Sequence, residues 1–467
     1  MTQNTSFRAK VVSGMIWSIA QSWGMKVMTL VLFMVLARVL EPAQMGVFAA
    51  AMAVIGFVEI FVDQGLREAI VQRETITREQ VNSAFVINVG ISLLVFGALS
   101  WSGPFIASHM QIAELAEILQ ITGIGVLINA MSFSQQAMHR RAFNYRWLAV
   151  CSLISTAIAG VLAVILALRG WGAWSLVVQF LVAAAINTAM MWLKPQWGFS
   201  FSFDFAGARQ LVRYGLNRLA TQLLDFANTR YIEIFIASVL GPVALGIYAV
   251  GVRVYQSLMH AISSAVLNVA HSGFSRLAND RPALVSAYYK SMSFTAAVAV
   301  PVFLLLASVT MEATVVFFGE KWIESAEVMR AMAVMGAVQV LQFYNGVVYN
   351  AIGRPSISLK FMIAKTVLTF GALILSRNEG MSFIVYAYVV SQLLTTPPSF
   401  VLVRRVIGIS FAELYSHVWP FLCGSLLMVV SILAAREMDF VGGLTMLERL
   451  FVLCSIGVAV YLGFLLL

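Results

Sequence analysis

Ten charged residues interrupt stretches of the sequence that are otherwise long and apolar. A charged side chain at the centre of a bilayer costs about 2.5 to 3.5 kcal/mol on insertion scales, so such residues usually face a bundle interior or a wet cavity. In that setting a cation can bind a phosphate, and a carboxylate can exchange a proton or hold a metal cation. The ten residues are Lys26, Arg218, Arg230, Arg253, Lys365, Glu59, Asp63, Asp225, Glu233 and Glu312.

The spacing of these charges separates local ion pairs from candidate binding groups. Arg230 and Glu233 are three residues apart, and Asp63 lies four residues before Arg67, so each pair can neutralise itself on one helix. We expect Glu312 to reach the outer membrane interface. Four cations lack an acidic neighbour three or four residues away, which favours a place in a cavity lining and leaves tertiary ion pairs as the alternative. They are Lys26, Arg218, Arg253 and Lys365.

Polar side chains also form stripes along three predicted helices. In the seventh apolar stretch they fall within a sector of roughly 80°, given 100° per residue. Similar stripes on the first and eighth stretches predict a hydrated cavity between two halves of the protein. The residues expected to line it are Lys26, Arg218, Gln222, Arg253, His260 and Lys365. Asp63 and Asp225 are the candidates for coupling to an ion.

The elements that position these residues are transmembrane helices. Hydrophobic residues make up 60% of the 467 and charged residues 11%, against roughly 45 to 50% and about 25% in a soluble domain. Fourteen apolar stretches are each long enough to cross a hydrocarbon core as a helix. This composition predicts an all-α membrane protein and excludes soluble enzymes, nucleic-acid binders and secreted disulfide scaffolds.

The basic residues predict the orientation in the membrane. With a cytoplasmic N-terminus, eighteen of the 30 Lys and Arg residues fall on the cytoplasmic side and seven on the outer side. The net charge of +9 therefore reflects topology and points to no nucleic-acid partner. The three cysteines lie in apolar stretches, and the sequence has no metal-ligand spacing or nucleotide-binding loop. We expect no catalytic residue, metal or cofactor.

A segment near the start of the chain recurs two hundred residues later. Leu36–Pro42 with Gly46–Ala49 matches Ile236–Pro242 with Gly246–Ala249. Six predicted spans separate the copies, so both face the same way, which is typical of transporters whose substrate site lies between parallel repeats. We predict an N-terminal lobe (1–200), a second lobe (201–408) and a C-terminal helix pair (409–467). The alternative is a local similarity between two helical turns.

Three further motifs accompany this repeat: Gly14–Ser18, Asp63–Leu66 and Gly353–Pro355. Together they resemble the polysaccharide transporter family of the multidrug/oligosaccharidyl-lipid/polysaccharide exporter superfamily, the Wzx-type flippases. The resemblance implies that undecaprenyl-diphosphate-linked oligosaccharides are flipped to the outer leaflet of the cytoplasmic (inner) membrane for exopolysaccharide or lipopolysaccharide synthesis. Because no nucleotide-binding loop is present, we expect alternating access to be driven by an ion gradient and the membrane potential. A polysaccharide polymerase and a chain-length regulator are candidate partners.

Two other classes of function stay open at this point. A multidrug or metabolite cation antiporter of the related extrusion family shares the two-lobe plan, and the span charges balance at five against five, so they discriminate only modestly. A membrane enzyme acting on lipid-linked glycans would need an external catalytic loop, and the predicted outer connections are short. For the flippase, replacing Arg218 or Arg253 with Ala is expected to abolish export.

Overall fold

A computed structural model gives the architecture of the chain. It describes residues 2–63, 65–204, 206, 209, 219, 222–224 and 226–466, and for 2–16, 18–20, 63, 265–269, 271 and 272 it describes the backbone alone. These residues form helices and short connections, with no strand among them. Helices are expected here because every backbone polar group in a bilayer must be satisfied within its own segment.

The helices are α1 (Thr2–Val39), α2 (Pro42–Asp63), α3 (Leu66–Gln72), α4 (Arg78–Met110), α5 (Leu115–Arg141), α6 (Tyr145–Leu168), α7 (Ala173–Leu193), α8 (Tyr231–Arg276), α9 (Arg281–Ser308), α10 (Thr310–Phe318), α11 (Ser325–Gln339), α12 (Phe343–Ala351), α13 (Pro355–Ser376), α14 (Met381–Leu394), α15 (Thr396–Ile407), α16 (Phe411–Arg436), α17 (Asp439–Gly442) and α18 (Met446–Leu466). Short 3₁₀ turns at Glu320–Trp322 and Val340–Gln342 precede α11 and α12.

Twelve segments of the described chain are long and apolar enough to cross a membrane. The predicted fold class is therefore confirmed, with twelve candidate spans where fourteen were predicted. The predicted seventh span, centred near residue 227, lies partly outside the described residues. The predicted twelfth is divided at Thr395 into α14 and α15. Prolines at the start of α15 explain the division, because a proline lacks the backbone N–H that a continuous helix would use.

The chain divides into two compact units, Met1–Gly246 and Ile247–Leu467. In the first unit α1 packs on α6, and α5 packs on α4 and α7. In the second unit α9 packs on α11 and α16, and α16 packs on α18. The predicted boundaries of the two lobes and the C-terminal helix pair stay predictions.

The two copies of the repeated motif meet inside the first unit. A Cβ at Gly46 would overlap the carbonyl oxygen of Pro242, and a Cβ at Gly246 would overlap that of Pro42. The contact is reciprocal, as expected where two similar segments pack about a local two-fold axis. Glycine is therefore required at both positions by the close approach of two backbones.

The structure tests two of the expectations for charged residues. Arg230 Nη1 lies 2.8 Å from a Glu233 carboxylate oxygen, as the local spacing predicted. The expectation for Glu312 is wrong: its side chain is 2% exposed and lies 2.9 Å from Arg436 Nη2 and 3.4 Å from Arg449 Nε. These arginines end α16 and begin α18, so the sequence spacing around Glu312 could not indicate them.

Candidate functional site

A polar cavity of about 490 Å³ lies inside the first unit. Residues of α2, α4 and α5 supply most of its walls, together with Arg67 of α3 and Gln222. Its apolar lining includes Ile60, Val126 and Phe133. The polar lining groups are Glu59, Arg67, Asn88, Asn129, Gln136 and Gln222.

Two buried amide oxygens give this cavity its chemical character. Asn88 is fully buried, and its Nδ2 donates to the Val62 carbonyl at 2.7 Å, close to the end of α2 where helix carbonyls lack intrahelical donors. Its Oδ1 and the Oε1 of Gln222 are buried and accept no hydrogen bond in the described structure. Because a buried acceptor without a donor costs free energy, the cavity is suited to water or to a ligand that carries N–H or O–H groups.

The short helix α3 positions Arg67 at this cavity. Gly65, which precedes α3, has a φ of 67°, a left-handed conformation that glycine adopts at little cost. The Arg67 guanidinium lies over the Phe133 ring, 5.6 Å from its centroid. At the other end of α3, Arg141 Nη1 donates to the Ile70 carbonyl at 3.1 Å. Both ends of α3 are thus fixed against α5, and Arg67 is held at the cavity wall.

The lining mixes groups of opposite character. Glu59 and Arg67 carry opposite charges, and the amides of Asn129 and Gln136 can each donate and accept hydrogen bonds. Sugar hydroxyls also both donate and accept, so a polyhydroxylated ligand complements such a surface. Among the described residues, no group of three His, Cys, Asp or Glu side chains is placed to hold a metal ion.

A second polar cavity, of about 280 Å³, lies in the same unit. Its lining comes from α1, α5, α6 and α7, and Gln136 of α5 belongs to the walls of both cavities. Gln21 of α1 donates to Ser152 Oγ at 3.0 Å across this second cavity. The two cavities are therefore neighbours that share one side chain.

The residues predicted to line a cavity fall in different places. Gln222 lines the first cavity. Lys26 is half-buried on α1 in the same unit. In the second unit, Arg253 is half-buried and His260 exposed on α8, and Lys365 is half-buried on α13.

Three of the predicted residues fall where the structure gives no side chain. Arg218 and Asp225 lie outside the described residues. Asp63 ends α2, and its side chain is likewise outside the described part. The predicted cavity between two lobes, and the roles of these residues in it, stay predictions.

Three amides of the first cavity were not predicted from the sequence. Asn88, Asn129 and Gln136 lie within the apolar stretches of α4 and α5 and carry no charge to draw attention. Asn129, Gln136 and Arg140 nevertheless recur at i, i+7 and i+11, which places them on one face of a helix. Polar stripes were predicted on the first, seventh and eighth apolar stretches, and the same spacing on α5 would have indicated this face as well.

Comparison with known proteins bears on this site and its fold. Residues 35–327 match a family whose description is polysaccharide biosynthesis protein. The chain is 23% identical over 432 residues to the lipopolysaccharide biosynthesis protein WzxC of Escherichia coli (strain K12), covering 91% of this chain and 88% of that protein. It is 25% identical over 370 residues to the succinoglycan biosynthesis transport protein ExoT of Rhizobium meliloti (strain 1021), covering 78% and 74%.

A solved structure has a similar fold. The inward closed conformation of the lipid II flippase MurJ superposes with a TM-score of 0.77 at 13% sequence identity, covering 96% of this chain and 98% of that one. At this level of identity the likeness concerns the fold alone.

Proposed function

Because the chain belongs to this family of polysaccharide biosynthesis proteins, as its motifs predicted, we propose that it moves lipid-linked oligosaccharides across the membrane. The substrate is an undecaprenyl-diphosphate-linked oligosaccharide, carried from the inner to the outer leaflet of the cytoplasmic membrane. It then serves the synthesis of an exopolysaccharide or a lipopolysaccharide, with a polymerase and a chain-length regulator as partners.

The observation that carries this proposal is the polar cavity inside a bundle of apolar helices. A sugar head group loses its hydration when it enters a bilayer, so it needs donors and acceptors to replace water. The first cavity offers both kinds of group, and two of its buried acceptors lack a donor in the described structure. The apolar lipid tail needs no such site and stays in the bilayer while the head group crosses.

The membrane potential favours outward movement of the negatively charged diphosphate. Two negative charges that leave an inside-negative cytoplasm gain about 4.6 kcal/mol per 100 mV. Lys26, Arg218, Arg253 and Lys365 are the cations proposed to compensate the diphosphate between the lobes. Asp63 or Asp225 adds an ion-coupled contribution by protonation or cation binding.

Complementation of a strain that lacks its exopolysaccharide flippase tests this proposal. The wild-type gene is expected to restore polymer, and Arg218→Ala and Arg253→Ala are expected to abolish it at an unchanged amount of protein in the membrane. Lys290→Ala, which removes an exposed cation outside the proposed cavity, serves as the matched control. Unchanged polymer in both arginine variants would remove those residues from the mechanism, and no polymer with the wild type would refute the function.

A second candidate function is export of a cationic drug or metabolite. It is favoured by the Glu59 carboxylate in the wall of the first cavity, since a carboxylate there can bind a cation. Drug susceptibility of the complemented strain separates the two functions. The flippase restores polymer and leaves susceptibility to cationic dyes unchanged, whereas the antiporter lowers susceptibility without polymer.

A further inference from the structure

The second cavity of the first unit has features that the transport of a diphosphate does not use. Its polar lining consists mainly of uncharged amides and hydroxyls, with one cation. Four separate helices supply these groups, so the arrangement arises from tertiary packing. The polar residues are Gln21, Gln136, Arg140, Tyr145, Ser152 and Asn187.

The hydrogen bonds within this lining leave capacity for a ligand. Gln21 uses its Nε2 to donate to Ser152 Oγ at 3.0 Å, and Gln136 uses its Nε2 to donate to Ser132 Oγ at 2.7 Å. Both carbonyl oxygens can therefore accept from a hydroxyl. The amide of Asn187 and the hydroxyl of Tyr145 can each donate and accept. Such a set matches neighbouring hydroxyls on a ring.

The cavity lining also contains apolar side chains. Leu148 and Met191 line the cavity and belong to a buried cluster that also contains Cys151. Each lies one helical turn from a polar lining residue, Ser152 or Asn187, so polar and apolar groups alternate along the same helix faces. A sugar ring presents hydroxyls at its edge and C–H groups on its faces, so it can contact both kinds of group.

Size and position restrict what the cavity can hold. At about 280 Å³ it lies just below the range of sites for drug-sized ligands, which start at about 300 Å³, so it has room for one small unit. It shares Gln136 with the larger cavity. The two cavities therefore adjoin at Gln136, as subsites for successive units of one ligand chain would.

We propose that the second cavity binds one sugar residue of the oligosaccharide, beyond the sugar that is attached to the diphosphate. This inference rests on the proposed function and adds a subsite to it. The larger cavity holds the sugars nearer the diphosphate, and the smaller cavity forms hydrogen bonds with the hydroxyls of a distal sugar. The site thereby contributes to selection among glycans on a common lipid carrier.

Transport in proteoliposomes by Asn187→Ala and Tyr145→Phe tests this subsite. The probes are undecaprenyl-diphosphate-linked oligosaccharides extracted from the native strain and the same lipids trimmed by exoglycosidases to their first sugar. Both variants are expected to move the full-length lipid about tenfold more slowly below saturation, as expected where a hydroxyl loses its partner in a polar site. The rate for the trimmed lipid is expected to stay within about twofold of wild type.

Thr188→Val is the matched control. Thr188 is the neighbour of Asn187 on α7 and donates to the Ile128 carbonyl at 2.9 Å, outside the cavity lining. This variant is expected to slow both lipids equally or not at all. Equal rates for Asn187→Ala and wild type on the full-length lipid, or an equal loss on both lipids, would overturn the subsite. Failure of the wild type to move either lipid would overturn the proposed function and the subsite with it.

Discussion

Two regions of this protein treat their buried polar groups differently, a hydrogen-bonded cluster in the second unit and the first cavity in the first unit. In the second unit, two successive hydrogen bonds join Tyr288, Asn345 and Ser399. Tyr288 Oη donates to Asn345 Oδ1 at 2.8 Å, and Asn345 Nδ2 donates to Ser399 Oγ at 2.6 Å. In the first unit, Asn88 Oδ1 and Gln222 Oε1 accept no hydrogen bond in the described structure and line a cavity.

Buried polar groups with a partner inside the protein stabilise the fold, whereas those without one are available to bind a ligand. A fully paired polar network rigidifies a core, and removing one member leaves the others with an unsatisfied donor or acceptor. A buried acceptor without a donor contributes nothing to the fold and costs free energy until something binds. Mutations in the second unit's paired groups should therefore reduce stability, and mutations in the cavity should reduce transport.

The largest loss of stability is expected at Glu312. Replacing it with Gln leaves Arg436 and Arg449 without their shared carboxylate, which should lower the free energy of unfolding by about 3 kcal/mol. Denaturant titration in detergent micelles measures this change. Glu233→Gln is the comparison: Glu233 is also buried, but its partner Arg230 has a side chain that is 50% exposed, so the loss there should be smaller than at Glu312. Equal losses in the two variants would contradict the assignment of Glu312 to a buried ion cluster.

A loss of about 2 kcal/mol is expected for Gly46→Ala, because the added Cβ would force the two copies of the repeat apart. The close approach of the Gly46 and Pro242 backbones is a tightly packed region of the first unit, outside its cavities. Gly90→Ala, at a helical position with nothing within 4 Å of the added Cβ, is expected to raise the free energy of unfolding by up to about 1 kcal/mol. A stable Gly46→Ala protein would mean that the contact between the copies is loose.

A smaller loss is expected for Gln339→Leu in the second unit. Tyr255 Oη donates to Gln339 Oε1 at 2.6 Å, and Tyr255 is buried, so the substitution leaves a buried hydroxyl without an acceptor. The expected cost is about 1 to 2 kcal/mol, read as a lower thermal midpoint. No change in the midpoint would show that water replaces the lost acceptor.

The smallest effect on stability is expected for Gln222→Leu, the same substitution in the cavity. Its Oε1 accepts no hydrogen bond in the described structure, so the free energy of unfolding should change by less than about 0.5 kcal/mol. Gln222→Leu and Gln339→Leu are the same substitution, made once where the amide oxygen accepts no hydrogen bond in the described structure and once where it accepts one from Tyr255. A large destabilisation by Gln222→Leu would place it with the structural groups.

Sequence patterns predicted the structural features that depend on residues close together along the chain. Long apolar stretches predicted the helical membrane fold, and the three-residue spacing predicted the Arg230–Glu233 pair. The division of the twelfth predicted span at Thr395 follows from prolines that were visible in the sequence, but their effect depends on packing. The partners of Glu312 lie more than a hundred residues away along the chain and could not be predicted from spacing.

The candidate site was predicted only in part, because its composition also depends on tertiary contacts. Gln222 was expected to line a cavity and does so. Asn88 and Asn129 were not predicted, because the polar stripes were identified on other apolar stretches and these two amides lie on α4 and α5. A buried amide without a partner is nevertheless costly. Which amide lacks a partner depends on tertiary contacts, and these appear only once the helices are packed.

The decisive test of the first cavity is the rate at which Gln222→Leu moves undecaprenyl-diphosphate-linked oligosaccharide between the leaflets of proteoliposomes. If the first cavity replaces the hydration of the sugar head group, the variant should move lipid at less than about a tenth of the wild-type rate, as for loss of one buried hydrogen bond of at least 1.4 kcal/mol. Its stability should match that of the wild type. A wild-type rate in a correctly folded Gln222→Leu protein would show that the head group does not cross through this cavity.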